Sequence, residues 1–349
     1  MNYGCNIESI GIKLPDRKLS TSEIESRLNI ANPLKLELLT GISNRRVCCE
    51  NEDSLTLAVD AALDCLSHSE LKAEELEMII SCSISKYVNG LSHCYEPALS
   101  LLIKQEIGNS KALNFDVSNA CAGMITGVHI ANNFIKQGRI KNCLVVSGEY
   151  ISGLIGNAIK TVDSLFHPEM ASLTVGDAGA AVILTQTKRG EAGLSVSEIS
   201  TLGRFSHLCT GVQSNNCKGG IMKTNMKKIH DLSIKNAPYV VENALRSAGL
   251  RMSEIDYLIP HQTAKISIQS GARVLYRYFN EEPGEIVYNL CETGNTASTT
   301  HFATLYKYLC EKRFKAGDTV MLLSFASGLT FGAIVFSMNG ISERYGNSN

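Results

Sequence analysis

Apolar segments alternate along this chain with amphipathic ones. Four segments carry the pattern most clearly: predicted strands at EMIISCSIS (77–85) and CLVVSGEY (143–150), a predicted strand hairpin at SLTVGDAGAAVILTQ (172–186), and a predicted amphipathic helix at AGMITGVHIANNFIKQG (122–138). The hairpin is expected to turn at Gly176 and Asp177, and Gly138 is the expected C-terminal cap of the helix. Such alternation predicts an α/β fold in which helices cover the sheets.

Three stretches of this pattern recur later in the chain, in the same order. The matched segments are 58–85 with 240–264, 112–127 with 285–300, and KNCLVVSGEY (141–150) with DTVMLLSFAS (318–327). The residue pairs that mark them are Ile80 and Ile259, Cys121 and Asn295, and Val146 and Leu323, with separations of 179, 174 and 177 residues. Chance similarity between amphipathic helices could explain one such match, but it is a poorer explanation for three matches in the same order. The repetition therefore predicts two copies of one βα unit around a pseudo-twofold axis, with equivalent strand-to-helix turns close together.

This duplication divides the chain into an N-terminal half, residues 1–187, and a C-terminal half, residues 188–349. Hydrophobic residues make up 44% of the sequence and charged residues 19%, which is typical of a globular protein. The formal net charge is −1, and this argues against nucleic acid as a partner because phosphate contacts require a basic excess. No run of about 20 apolar residues predicts a membrane span.

The chain contains 12 cysteines that follow no regular framework, and no secretory signal begins it. Both features favour a cytoplasmic protein with reduced thiols. The nearest cysteine pairs lack the spacing of a zinc site, so no metal is expected.

Cys121 is the first candidate for chemistry. It follows the predicted strand ALNFDV and precedes a predicted helix. A helix N-terminus presents unpaired N–H groups and a partial positive charge, which favour a thiolate over a thiol. The neighbours Ala120, Ala122 and Gly123 are small enough to let a substrate reach the sulfur. The alternative is a buried, inert cysteine, which is the commoner kind.

His261 and Asn295 are expected near the same sheet edge. His261 follows an apolar run on the second copy of the IISCS strand, and Asn295 lies in the turn that matches the Cys121 turn. Alone, each has an ordinary structural explanation, since buried histidines are usually hydrogen-bonded and Asn beside Gly is usual in turns. Together with Cys121 they form a constellation at corresponding strand ends.

With these residues in place, the sequence resembles the thiolase-like condensing enzymes, in particular the ketoacyl-carrier-protein synthase III group. The resemblance covers residues 5–337 and rests on LTGISNRR (39–46), FDVSNACAG (115–123), VGDAGAAVIL (175–184), PHQTA (260–264), GNTAS (294–298) and FASGLTFGAIV (325–335). It implies a five-layered αβαβα fold, an obligate homodimer and a Cys–His–Asn triad of Cys121, His261 and Asn295. It implies no cofactor.

The resemblance also implies a role for each residue. Cys121 takes an acyl group from a thioester, and its backbone N–H and that of Ser327 hold the oxyanion. His261 and Asn295 donate hydrogen bonds to the carbonyl of the second thioester. The triple glycine of the group is here ASG (326–328), which implies a stiffer or shifted oxyanion loop.

Glu96 occupies a position at which the synthase III group carries an aromatic residue that crosses the dimer interface. A carboxylate in an apolar pocket suits a general base, because burial raises its pKa toward neutrality. The same replacement is typical of branches that join two acyl chains without decarboxylation, in olefin, pyrone, and cyclohexanedione or dialkylresorcinol formation. The alternative is a surface glutamate in the first turn of a helix, before Pro97.

The resemblance thus implies a Claisen-type condensation of two acyl or β-ketoacyl thioesters, with ring closure if a second bond forms. The thioesters are carried by acyl carrier protein or coenzyme A. Lys35 and Leu39 replace the tryptophan and arginine that hold adenine, which favours the carrier protein. Five basic residues are candidates to meet an acidic carrier: Lys223, Lys227, Lys228, Lys265 and Arg273.

Three rival functions remain at this point. One is a decarboxylating synthase III that starts fatty-acid or polyketide chains, and a second is a synthase of the hydroxymethylglutaryl type. The third is a catalytically silent partner subunit, against which the intact triad argues.

Overall fold

The computed structural model describes residues 3–30, 34–188, 191, 193–214, 219–338 and 341–345. Its strands are β1 (Gly4–Lys13), β2 (Lys18–Ser20), β3 (Asn44–Arg46), β4 (Met78–Ser81), β5 (Leu113–Asp116), β6 (Asn142–Glu149), β7 (Ala178–Thr187), β8 (Leu194–Thr201), β9 (Cys209–Gln213), β10 (Gly220–Thr224), β11 (Tyr257–Pro260), β12 (Glu285–Ile286), β13 (Thr319–Ala326) and β14 (Thr330–Ser337). Its α-helices are α1 (Thr21–Arg27), α2 (Leu36–Thr40), α3 (Ser54–Ser67), α4 (Leu99–Glu106), α5 (Gly123–Lys136), α6 (Gly153–Thr161), α7 (Met226–Ala248), α8 (Lys265–Phe279), α9 (Leu290–Thr293) and α10 (Thr300–Cys310).

Two five-stranded sheets form the centre of the fold. The first has the strand order β1-β7-β6-β4-β5, and the second, taken from its other edge, has the order β8-β14-β13-β11-β12. In both sheets the last three strands are parallel and the first two pair antiparallel. Strand for strand, the second sheet repeats the first. The predicted α/β fold with two duplicated halves is therefore confirmed.

Helices fill three layers around these sheets. α5 and α10 lie between the sheets, α3 and α4 cover the outer face of the first, and α7 and α8 cover the outer face of the second. α5 buries Met124, Val128, Ala131 and Ile135 at the spacing of one helical face. One apolar core joins both sheets through α5 and α10, and a separate core lies under each outer layer. This is the expected αβαβα arrangement.

The predicted hairpin over residues 172–186 is wrong. Met170–Thr174 form a short 3-10 helix, and β7 begins only at Ala178, where it pairs with β1 and β6. The segment at the predicted turn, Gly176 and Asp177, is held by contacts with other elements. Gly176 donates its N–H to the carbonyl of Asn295, and the Asp177 carboxylate accepts N–H groups that follow β6. These contacts fix the segment as a connection between the two halves.

Three absences hold for the part of the chain described above. No helix there is long and apolar enough to cross a membrane. The eleven cysteines whose positions are described are free thiols. No group of three or more His, Cys, Asp or Glu side chains within those ranges could hold a metal ion.

α3 lies directly on the backbone of β7 at Gly179. A Cβ atom at Gly179 would lie 2.0 Å from the carbonyl oxygen of Leu57, and neither backbone can yield without moving a packed layer. We expect Gly179→Ala to lower the free energy of unfolding by about 2 kcal/mol or more, as is usual for an overpacked core. Urea denaturation followed by circular dichroism measures this change.

Gly156→Ala is the matched control, because a Cβ atom at Gly156 in α6 meets open space. Alanine is a better helix former than glycine, so this variant is expected to gain about 0.5–1 kcal/mol. Equal destabilisation by the two substitutions would contradict the close packing of α3 on β7.

Candidate active site

Cys121 lies at the predicted strand-to-helix junction. It is the middle residue of a 3-10 turn, Ala120–Ala122, between β5 and α5. Ala120 has a φ of 45°, a left-handed conformation that is strained for a residue with a Cβ atom. The preceding Asn119 anchors the turn, since its amide donates to Thr126 Oγ1 at 2.8 Å and its Oδ1 accepts from Thr330 Oγ1 at 3.2 Å. Strain held in this way is common at functional sites.

The expected stabilisation of a Cys121 thiolate is wrong for the free protein. Burial raises the pKa of the Cys121 thiol to about 12, and Cys209 and the Glu149 carboxylate contribute to the rise. A backbone hydrogen bond at Cys121 lowers this pKa, but desolvation is the larger effect. At neutral pH the sulfur carries its proton, so nucleophilic attack requires a proton acceptor.

The structural counterpart of Cys121 is Ser298 rather than Asn295. Ser298 is the middle residue of the 3-10 turn Ala297–Thr299, which precedes α10 as the Cys121 turn precedes α5. Ala297 has a φ of 51°, matching the strained residue before Cys121. The two turns pack against each other near the pseudo-twofold axis. Asn295 therefore lies three residues before the true equivalent position, although it is in the matched turn as predicted.

His261 follows β11 and is only 5% exposed. Its backbone N–H donates to the carbonyl oxygen of Leu323 at 2.9 Å. Burial, with a smaller contribution from the neighbouring His301, lowers the pKa of His261 to about 3. The imidazole is therefore neutral and a weak base at neutral pH, and its N–H can donate one hydrogen bond.

His301, near the start of α10, was not singled out from the sequence. Its ring stacks on that of His261 with 5.7 Å between centroids, and its Nε2 donates to the carbonyl of Leu323 at 3.1 Å. This bond fixes its tautomer and leaves Nδ1 as an acceptor without a described partner. A histidine at this helical position carries no recognisable sequence signal, since only the fold places it beside His261.

The backbone of Asn295 is fixed by hydrogen bonds, and so is the orientation of its side-chain amide. Its N–H donates to Thr174 and its carbonyl accepts from Gly176, at 2.9 and 3.0 Å. The side-chain oxygen Oδ1 accepts the N–H of Ala297 at 3.0 Å, which orients the amide. Among the hydrogen bonds of the described residues none uses Asn295 Nδ2, so this group is available to donate to a bound carbonyl.

Ser327 lies in the tight connection between β13 and β14, whose last pair is Ala326 with Thr330. β13 and β14 both pack against the Cys121 turn. Thr330 also bonds to Asn119. The connection that contains Ser327 therefore lies between two strands that pack on the Cys121 turn, and its role in an oxyanion hole stays a prediction.

Glu96 is exposed, and no described side chain binds its carboxylate. It ends a small excursion after β4 in which Tyr87 and His93 form an isolated bridge. The excursion then enters α4, whose first N–H groups bind the carboxylate of Asp116. The single chain thus gives Glu96 no apolar pocket. Its position as a base remains a prediction.

The basic candidates for a carrier surface are all exposed, and none of them forms an ion pair within the described ranges. Lys223 is on β10, and Lys227 and Lys228 are in the first turn of α7. Lys265 begins α8 against the end of α2, the helix that follows Lys35.

Comparison with known proteins identifies the family. The family described as 3-oxoacyl-[acyl-carrier-protein] synthase III matches residues 115–203, and its C-terminal family matches residues 245–338, together just over half of the chain. The β-ketoacyl-[acyl-carrier-protein] synthase III of Oceanobacillus iheyensis is 27% identical over 334 residues, 96% of this chain and 98% of the relative. The chain belongs to the synthase III group of thiolase-like condensing enzymes.

Solved structures agree with this condensing-enzyme fold. Xanthomonas campestris OleA, with lauric acid and lauroyl-CoA bound to a variant, superimposes with a TM-score of 0.83 at 22% identity, covering 96% of this chain and 100% of that one. The priming β-ketosynthase of the R1128 polyketide pathway gives 0.81 at 20% identity, covering 97% of both chains. As a member of the synthase III group, the protein is an acyl-transferring enzyme that forms carbon–carbon bonds by Claisen condensation.

Glu149 is the charged residue of this synthase III site that the sequence analysis missed. It ends β6, is fully buried, and lies close enough to Cys121 to affect its pKa. The available signal was an acid at the end of the apolar segment CLVVSGEY, where a buried strand would otherwise contain none.

Proposed function

We propose that this condensing enzyme joins two acyl or β-ketoacyl thioesters without decarboxylation, with Glu96 as the general base. The observation that carries the proposal is the placement of Glu96, an unpaired carboxylate beside a free sheet edge. β5 is the last strand of the first sheet and pairs only with β4, and its Leu113 side chain is 60% exposed. Tyr95, next to Glu96, is 84% exposed.

A second copy of the chain would account for these exposed groups. An unpaired edge strand is a template for pairing with another chain. We therefore propose a homodimer that covers β5 and carries Glu96 toward Cys121 of the partner. In that position Glu96 would leave water and gain the raised pKa that a general base for a weakly acidic α-proton requires.

The proposed reaction has two steps. In the first, the Cys121 sulfur attacks a thioester, and the proton that the Cys121 thiol loses passes to the leaving carrier thiolate, so that the carrier departs as a thiol. In the second, Glu96 removes an α-proton from another thioester whose carbonyl accepts hydrogen bonds from His261 and Asn295. The resulting enolate attacks the acyl-enzyme, a carbon–carbon bond forms, and the Cys121 sulfur leaves as a thiolate that regains the proton held by Glu96. Backbone N–H groups at Cys121 and Ser327 stabilise the oxyanion.

Acyl carrier protein and coenzyme A are the proposed carriers. The relatives are named for acyl carrier protein, and OleA was solved with lauroyl-CoA. Lys35 in place of an adenine-stacking tryptophan, and the unpaired basic residues of β10, α7 and α8, favour a carrier protein here. If a second bond forms, the product closes to a pyrone, cyclohexanedione or resorcinol precursor.

A second candidate is the decarboxylating synthase III reaction, which the names of the relatives favour. The two candidates differ in their need for malonyl-carrier protein. We expect a single saturated acyl thioester to give a coupled β-keto product, detected by mass spectrometry, without any malonyl donor. Product formation only with malonyl-carrier protein, together with release of carbon dioxide, would establish the second candidate instead.

A further inference from the structure

The most highly hydrogen-bonded carboxylate near the site is that of Glu149. It accepts the N–H of Ile84 at 3.0 Å and of Ser85 at 3.3 Å, both in the loop after β4. The Ser147 hydroxyl donates at 3.1 Å from its own strand. The Ser298 hydroxyl makes a short hydrogen bond to it from the turn opposite Cys121. Glu149 thus joins three separate segments of the chain.

These segments lead to other residues of the proposed site. The loop after β4 leads to Glu96, and the Ser298 turn follows Asn295 and packs on the Cys121 turn. A Cβ atom added to Gly123, in the first turn after Cys121, would lie 3.5 Å from Ser298 Cβ, which measures how closely the turns approach. Any movement of the Glu149 carboxylate would therefore be transmitted to the backbone that presents Cys121.

We propose that Glu149 is a positioning residue of the condensing site, whose carboxylate locks the Ser298 turn against the Cys121 turn and places a negative charge beside them. The proposal rests on the proposed function only in taking Cys121 as the reacting thiol. Glu149 itself touches no reacting atom in this assignment.

The charge of Glu149 is set by opposing effects. Burial raises its pKa to about 7, while hydrogen bonds from Ser298 and from the N–H groups of Ile84 and Ser85 limit the rise. The Glu149 carboxylate raises the pKa of the thiols of Cys82 and Cys121, and burial keeps both protonated at neutral pH. Cys209 also acts on the Cys121 thiol and Asp116 on the Cys82 thiol. Lys86, which follows Ser85, forms its ion pair with Asp116 rather than with Glu149. Glu149 therefore changes charge near neutral pH, next to the sulfur.

The expected signature is a break in the pH dependence of Cys121 alkylation. Iodoacetamide reacts with the thiolate, so the logarithm of the rate rises with pH. As Glu149 ionises near pH 7, its charge raises the thiol pKa, and the rise should flatten before it resumes. In Glu149→Gln the flattening should be absent. The rates should match below pH 6, and above pH 8 the variant should react about tenfold faster, which corresponds to one pKa unit.

Peptide mass spectrometry distinguishes alkylation of Cys121 from alkylation of the other thiols. The measurement does not require the enzyme to acylate Cys121 or to form product. Ser298→Ala is a second test that keeps the carboxylate. Removing this donor should raise the Glu149 pKa and move the flattening to higher pH. Asp177→Asn, which neutralises another fully buried carboxylate, is the matched control and should keep the wild-type profile.

A wild-type profile without flattening, or an unchanged flattening in Glu149→Gln, would overturn the proposal. If Glu149→Gln does not fold, an unshifted profile in Ser298→Ala overturns it equally. Condensation by Glu149→Gln should fall about tenfold with little change in KM, although its thiol is more reactive. A role in stability alone would not make reactivity rise while turnover falls. Failure of the Glu96 assignment leaves these alkylation profiles unaffected.

Discussion

Replacement of Cys121 by alanine is expected to abolish acylation and to reduce condensation by about 10³-fold or more, the scale seen when a covalent nucleophile is removed. Cys121 is in a strained turn that packs on the turn following Asn295, and its side chain is only partly buried. Intact-mass spectrometry during incubation with acyl thioesters follows the acyl-enzyme, and product analysis follows condensation.

Cys310→Ala is the matched control for this prediction. Cys310 is an exposed free thiol at the end of α10, away from the turn that begins that helix. We expect it to leave acylation and product formation at wild-type levels. Product formed by Cys121→Ala at a normal rate would end the mechanistic assignment, because no second cysteine is proposed to carry the acyl group.

Replacement of Glu96 by glutamine is expected to lower the coupling of two acyl thioesters by about 10²-fold or more, the usual contribution of a general base. Glutamine keeps the size and hydrogen-bonding capacity of glutamate but has no basic oxygen to take an α-proton. Acylation of Cys121 should stay intact, because that step precedes proton removal. Single-turnover mass spectrometry separates the two steps. Equal coupling rates in Glu96→Gln and wild type would favour the decarboxylating reaction.

A mixed dimer of the Cys121→Ala and Glu96→Gln chains tests where Glu96 acts. If Glu96 serves the partner, each mixed dimer contains one complete site of its two, and activity should return to about half of the wild-type value. If Glu96 acts within its own chain, neither site is complete. Co-expression with two different affinity tags supplies the mixed dimer, and an inactive mixed dimer would contradict an action across the interface.

The duplicated architecture could be predicted from the sequence because hydrophobic periodicity repeats over whole strands and helices. Matching 58–85 with 240–264 and 141–150 with 318–327 identified strands that the two sheets use in equivalent places. The register within a turn could not be predicted in this way. Asn295 was matched to Cys121, whereas the fold matches Ser298, because small-residue turns carry no hydrophobic period to align.

The hairpin expected at Gly176 and Asp177 failed for a related reason. A Gly–Asp pair between apolar runs is typical of a turn, but the Asp177 carboxylate binds N–H groups beyond the end of β6. Long-range hydrogen bonds of this kind have no local signature. The same holds for Glu149, whose donors include Ser85 and Ser298, which are 64 and 149 positions away in the chain.

By itself, the sequence determined the fold class, the duplication and the identity of Cys121, His261 and Asn295 as candidates, because those features depend on local residue types in local patterns. Only the tertiary structure decided their electrostatics. Packing removes water from around the Cys121 thiol and brings the Glu149 carboxylate close to it. This desolvation raises the pKa of the thiol, whereas the helix N-terminus was expected to lower it. Burial is a property of the whole assembly of layers, so no single segment of the sequence encodes it.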